Sequence, residues 1–278
     1  MLRLDRYRRA DAFLADAGAW LTQREAEHNL ILGIAGDLAD EADAPYLAAV
    51  RDGVRTVCVA LRTPPWNLLV SEVDDPAALP VLADDLGEVE LPGVTGPPAG
   101  VTAFASAWTA EHAVDAETVL DERIYRLSRV IEPPRPAGVA RRAGDADRAL
   151  LADWLVDFQQ EALPLDDAER LRERMLAWDP AGSRQFWLWE VAGRSVSMVS
   201  AHSPTPHGIR IGPVYTAPGE RGHGYASALT AFVSRWHLSQ GRQFCFLYTD
   251  LANATANHIY QAIGYEPITD ARMIRFVR

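Results

Sequence analysis

The stretch Val214-Tyr215-Thr216-Ala217-Pro218-Gly219-Glu220-Arg221-Gly222-His223-Gly224-Tyr225-Ala226 decides how this chain reads. Val214 to Thr216 ends an apolar, strand-like run that starts at Gly208. From Tyr225 the apolar residues Leu229, Phe232, Val233 and Trp236 recur at helical spacing. A glycine loop that feeds a helix leaves several backbone N–H groups unpaired and pointing one way, and the helix dipole adds partial positive charge there. Such a loop suits a phosphate group. Gly222 and Gly224 keep side chains out of its way, and Arg221 can add a charge-assisted contact. Taken alone, glycines before a helix are more often a turn and a cap.

Upstream, Gln185–Val191 and Ser195–Ser200 form a hairpin around Ala192-Gly193-Arg194, and Gly212-Pro213 marks a bulge in the next strand. Further back, a strand at 137–141 leads into a helix to about Gln160 with Asp145 as its cap, then a second helix over 166–178. Downstream come a short strand, Phe244–Thr249, and a helix from Asn253 to about Ile263 closed by Gly264. The remainder supplies two short strands. The order is α+β.

Two motifs now stand in sequence: Arg221-x-x-Gly224-x-Ala226, and Asn253-x-x-Ala256-x-x-Ile259-Tyr260-x-x-x-Gly264-Tyr265. Together they resemble the GNAT superfamily of N-acetyltransferases over residues 137–278. The resemblance implies a mixed, mostly antiparallel sheet flanked by helices, with acetyl-CoA as co-substrate. It implies main-chain contacts from Val214, Tyr215 and Thr216 to the pantetheine arm, and pyrophosphate held by Arg221, Gly222, His223, Gly224, Tyr225 and Ala226. It further implies hydrogen bonds from Asn253 and Asn257, and Tyr260 beside the thioester sulfur. The chemistry suits that last position, because a phenol can donate to a departing thiolate, whose thiol has a pKa of about 8.5. On spacing alone, Tyr260 packs with Ala256, Ile259 and Ile263 on one helix face.

A base for the incoming amine is not identified. Glu161, Asp166, Asp167, Glu190 and His202 are candidates, each more readily read as solvated or structural. Trp178, Trp187 and Trp189 read as core before they read as an acceptor pocket.

Ile131-Glu132-Pro133-Pro134-Arg135-Pro136 is the expected linker between a domain at 1–132 and one at 137–278. The first half carries a weak repeat of the second and resembles the same family faintly. Residues 91–100 take the place of the phosphate loop there but lack the Arg-x-x-Gly-x-Ala pattern, and Pro97 and Pro98 remove N–H donors. A degenerate, non-catalytic copy is the expectation.

Residues 1–136 hold 23 acids against 12 arginines, net -11, and the rest is neutral, so a polyphosphate ligand belongs in the second half. That balance argues against nucleic-acid and anionic-membrane partners. No apolar run is long enough to span a bilayer, no signal-peptide pattern opens the chain, and no metal-ligand spacing surrounds Cys58 or Cys245. A cytoplasmic enzyme is expected, moving an acetyl group to a small-molecule or peptide amine by direct attack. The alternatives are an acyl-CoA-binding sensor or scaffold without turnover and, more weakly, a nucleotide-phosphate protein.

Overall fold

The computed structural model describes residues 1–38, 45–87, 89–162 and 168–278. They form two units. Unit 1 comprises Met1–Tyr125, Tyr248–Asn257 and Pro267–Arg278, and unit 2 comprises Arg126–Leu247 and His258–Glu266.

The first half runs β1 (Leu2–Arg6), α1 (Ala10–Thr22), α2 (Asn29–Asp37), β2 (Tyr46–Asp52), β3 (Arg55–Arg62), β4 (Leu68–Val70), α3 (Ala78–Leu86), β5 (Gly93–Gly96), α4 (Pro98–Glu111) and β6 (Asp115–Leu127). The second half repeats that order: β7 (Val139–Arg142), α5 (Arg148–Ala162), α6 (Ala168–Leu176), β8 (Gln185–Val191), β9 (Arg194–His202), β10 (Gly208–Thr216), α7 (Tyr225–Ser239), β11 (Phe244–Asp250), α8 (Ala254–Ala262) and β12 (Glu266–Val277).

Pairing repeats as well. β1-β2-β3-β4 is antiparallel and β4 lies parallel to β5, while β7-β8-β9-β10 is antiparallel and β10 lies parallel to β11. The last strand of the chain pairs antiparallel with β5, Arg272 opposite Gly96, and buries Ile274 and Phe276 in the unit 1 core.

Both units bury their strands on two faces, which is why β2 and β3 are apolar almost throughout. In unit 1, Leu47, Ala49, Val59 and Leu61 pack on α1 and α2, while Ala48, Val50, Cys58 and Ala60 pack with α3 and α4. In unit 2, Phe186, Leu188, Met198 and Tyr215 meet Leu151, Trp154 and Leu155 of α5. On the other face, Trp187 packs on Phe232 and Trp236 of α7.

Several local expectations change. β12 is one strand where the sequence suggested two. β1 and α3 carry little periodic signal, being five and nine residues long. α3 also includes Pro80, which sits in its first turn, where the missing N–H costs least. Asp145 does not cap α5: a single 3-10 turn, Asp145–Asp147, precedes that helix, and Asp147 accepts from the Gly144 N–H at 2.9 Å. Residues 91–100 are not a phosphate-loop counterpart. They form β5 and the start of α4, which in element order match β11 and α8, so the counterpart of the 217–224 loop is Ser71–Ala77, between β4 and α3.

Candidate functional site

The site is built where β10 leaves β11. Their parallel pairing covers only Gly208–Arg210 against Phe244–Phe246. Beyond it, Ile211 pairs with Ala201 and Val214 with Val199 of β9, so Gly212 and Pro213 stand opposite Ser200 alone, a bulge where the sequence placed one. Ala217 donates to Val196 O at 3.2 Å, so strand alternation turns the main-chain groups of Tyr215 toward β9 and those of Val214 and Thr216 away from it. Val214 thus offers an open strand edge on the side where the sheet has splayed.

The loop that follows is a short 3-10 turn, Pro218–Glu220, and then Arg221 to Gly224. Gly222 and Gly224 have φ of +81° and +80°, a left-handed backbone that glycine adopts without penalty. Gly224 is the N-cap of α7. Ala228 donates to Gly224 O, the first bond of the helix. Among the described residues, the N–H groups of Gly222, His223, Gly224, Tyr225, Ala226 and Ser227 have no acceptor. Six consecutive free donors at a helix N-terminus are an anion cradle.

The counterpart Ser71–Ala77 differs in both donors and charge. Ser71 N–H donates to Val59 O, Glu72 N–H to His28 Nε2, Asp74 N–H to Val57 O and Ala77 N–H to Asp75 Oδ1. Four of its six N–H donors are thus engaged, and Glu72, Asp74 and Asp75 would repel phosphate.

Arg221 is engaged on every side. Its Nε donates to Thr216 O at 3.0 Å, its Nη2 reaches both oxygens of Glu161 at 2.8 Å, and its guanidinium lies 5.7 Å from the Tyr215 ring centroid. Tyr215 in turn donates its hydroxyl to Asp157 at 3.2 Å. Sequence spacing gave no hint of this link between the loop and the end of α5, sixty residues away. His223 turns back, with Nδ1 3.1 Å from Glu220 O and its ring stacked on Tyr225.

Tyr260, on α8, is half-buried, and its ring meets Tyr265 edge-on at 6.0 Å. Among the described residues its hydroxyl has no hydrogen-bond partner, and desolvation pushes its pKa up to about 12. It is a neutral donor at any physiological pH.

Asn253, just before that helix, and Asn257, in its first turns, belong to unit 1. Asn253 Oδ1 caps the helix through Ala256 N–H, and Asn257 is saturated: Nδ2 donates to Asp250 O and Asn253 O, and Oδ1 accepts from Tyr125.

The candidate bases divide. Asp166 and Asp167 lie outside the described residues. Glu161 pairs with Arg221, and Glu190 with Arg141 at 2.9 Å. His202 is buried, and desolvation together with Arg210 and Arg184 holds its pKa well below the usual histidine value. Trp178, Trp187 and Trp189 are all core. Cys58 and Cys245 are free, buried thiols raised to about 12 by desolvation. Among the described residues no group of His, Cys, Asp and Glu could hold a metal ion, and no helix is long and apolar enough to cross a membrane.

Residues 149–265 match the model of the acetyltransferase (GNAT) family. The chain is 33% identical over 161 residues to a mycothiol acetyltransferase of Thermobispora bispora, a match covering 51% of this chain and 53% of that protein. The chain therefore spans about half the length of that relative. Two solved structures share the whole fold. A GCN5-related N-acetyltransferase from Sphaerobacter thermophilus has a TM-score of 0.59 at 17% identity, over 100% of this chain and 96% of that one. A tandem GNAT protein from the clavulanic acid biosynthesis pathway has a TM-score of 0.58 at 15% identity, over 100% and 98%.

Proposed function

We propose, from the match of residues 149–265 to the GNAT acetyltransferase family, that unit 2 transfers an acetyl group from acetyl-CoA to a primary amine. The observation that carries the reading is the run of six free N–H donors from Gly222 to Ser227, next to the open edge of Val214. The first suits a pyrophosphate, and the second suits an amide-bearing arm laid along the strand as an added partner.

In this reading Gly222 to Ala226 hold the pyrophosphate through main-chain groups, and Val214 to Thr216 orient the arm. Bound acetyl-CoA supplies an activated thioester. Tyr260 donates a hydrogen bond to the sulfur as the C–S bond breaks. With a pKa of about 12 it is a weaker acid than the departing thiol, so donation without full proton transfer is the favoured role. The acceptor amine attacks directly, since both cysteines are buried and protonated.

Unit 1 is, in this proposal, a non-catalytic copy. Its Ser71–Ala77 loop has four of its six N–H donors engaged and carries three carboxylates. One cofactor site per chain follows. By the name of its relative, a mycothiol-type amine is the first acceptor to assay.

Calorimetric titration with acetyl-CoA and with ATP tests the donor, and thiol release from acetyl-CoA across an amine panel tests turnover. Binding of acetyl-CoA but not ATP, with release only when an amine is present, is the expected result. Binding without transfer to any amine would instead support a sensor.

A further inference from the structure

Arg62, at the end of β3, is a buried cation with no carboxylate partner among the described residues. Only 9% of its surface is exposed. Its Nε donates to Trp66 O at 2.9 Å and its Nη2 to Glu90 O at 3.0 Å, both neutral carbonyls. Among the described residues no acid lies within ion-pair distance, and burial pulls its pKa down. Arg51, in the same unit and equally buried at 9%, shows the usual solution: it pairs with Asp5 at 3.2 Å and Asp16 at 2.5 Å. A desolvated guanidinium held only by dipoles is costly, and an anion is what offsets that cost.

Arg62 also lines a cleft of about 710 Å³ in unit 1. Its walls include Pro65, Leu91, Pro92 and Val114, which are apolar, and its rim carries Glu111 and the exposed Arg278–Glu90 pair, 3.4 Å apart. The volume is that of a small-molecule site, and the lining combines apolar walls with a single buried charge that can fix orientation.

We propose that this cleft is a binding site for a small oxyanion, a carboxylate or a phosphate monoester, carried on an apolar body, with Arg62 holding the anionic end. Pro65, Pro92 and Val114 cover the apolar end. The site lies in the unit that lacks a phosphate loop and is independent of acetyl transfer.

Benzoate and phenyl phosphate are suitable probes, with benzyl alcohol as the neutral match. Each is titrated to roughly 10 mM into the full-length chain while the backbone amide signals of Leu91, Ala113 and Val114 are followed. At least one anion is expected to shift these signals saturably, benzyl alcohol is not, and which anion binds separates the carboxylate from the phosphate source. Arg62→Met should weaken that binding at least about tenfold, and Arg62→Lys by less. Both variants should keep wild-type CoA affinity, since Arg62 is in neither the loop nor the splay. Equal binding of benzyl alcohol and benzoate, no shift by either anion, or undiminished binding to Arg62→Met would each overturn the proposal. The first two readings need no variant, so they stand even if substitution at Arg62 impairs folding.

Discussion

Arg221 sets its Nη2 2.8 Å from both carboxylate oxygens of Glu161, joining the loop before α7 to the last turn of α5. The pair is half-exposed, so its contribution to stability is small. Its consequence is for ligand binding: Glu161 places a negative charge beside the cradle and occupies the one arginine of the loop. Glu161→Gln should tighten CoA binding by about twofold to fivefold at low salt, and the gain should shrink at high salt. Calorimetry at two ionic strengths reads this; weaker binding by Glu161→Gln would show that the pair builds the loop instead.

The left-handed backbone of Gly224 aims the free donors. Gly224→Ala meets no atom within 4 Å, so its penalty is conformational, about 1–2 kcal/mol, and relaxing that strain re-aims the N–H groups. CoA affinity should fall at least about tenfold. Gly193→Ala, at φ +76° in the β8–β9 turn, carries the same strain away from the loop and should lower the melting temperature without changing CoA affinity.

Tyr260→Phe removes a donor and little volume. Turnover should fall roughly tenfold to a hundredfold, with the KM for acetyl-CoA nearly unchanged. Because the phenol is pushed up to about 12, the wild-type rate should show no falling limb from Tyr260 below about pH 10. Full turnover by the phenylalanine variant would remove Tyr260 from the mechanism.

His28 and His237 are both buried, and desolvation lowers each to about 4. Above pH ~6.5 they are neutral folded and unfolded, and their contribution to stability is complete. As pH falls from there toward 4, the unfolded chain takes up protons that the native state refuses, so stability drops by at most about 1.4 kcal/mol per pH unit per histidine. Denaturant melts between about pH 6 and 4.5 should show this slope, and His28→Gln should flatten it. An unchanged slope in the variant would mean that His28 titrates normally.

Gly208 faces Phe246 across the short parallel pairing, and a Cβ there would lie 2.1 Å from the ring. Gly208→Ala should destabilise unit 2 by more than about 2 kcal/mol, read as a lower denaturant midpoint.

How much was legible follows from which signals are local. The stretch Val214–Ala226 announced its strand, bulge, loop and helix because apolar periodicity, Gly-Pro and paired glycines all act within a few residues. The two motifs ending at Tyr260 carried the resemblance, and both lie within the residues that match the acetyltransferase (GNAT) family model. What the chain alone could not supply depends on groups far apart in sequence. Residues 91–100 looked like a loop, since glycines and prolines dominate them, yet tertiary pairing draws Gly93–Gly96 into a strand between β4 and β12. The commitment of Arg221 to Glu161, the saturation of Asn257 by Tyr125, and the isolation of Arg62 from any described carboxylate were likewise set by packing. By itself, then, the sequence determined the elements around Val214–Ala226 and the left-handed glycine backbone before α7, because local sterics and hydrogen bonding decide those. Only the tertiary structure decided which donors stay free and which charges are paired, because desolvation and partner choice depend on what the fold brings alongside.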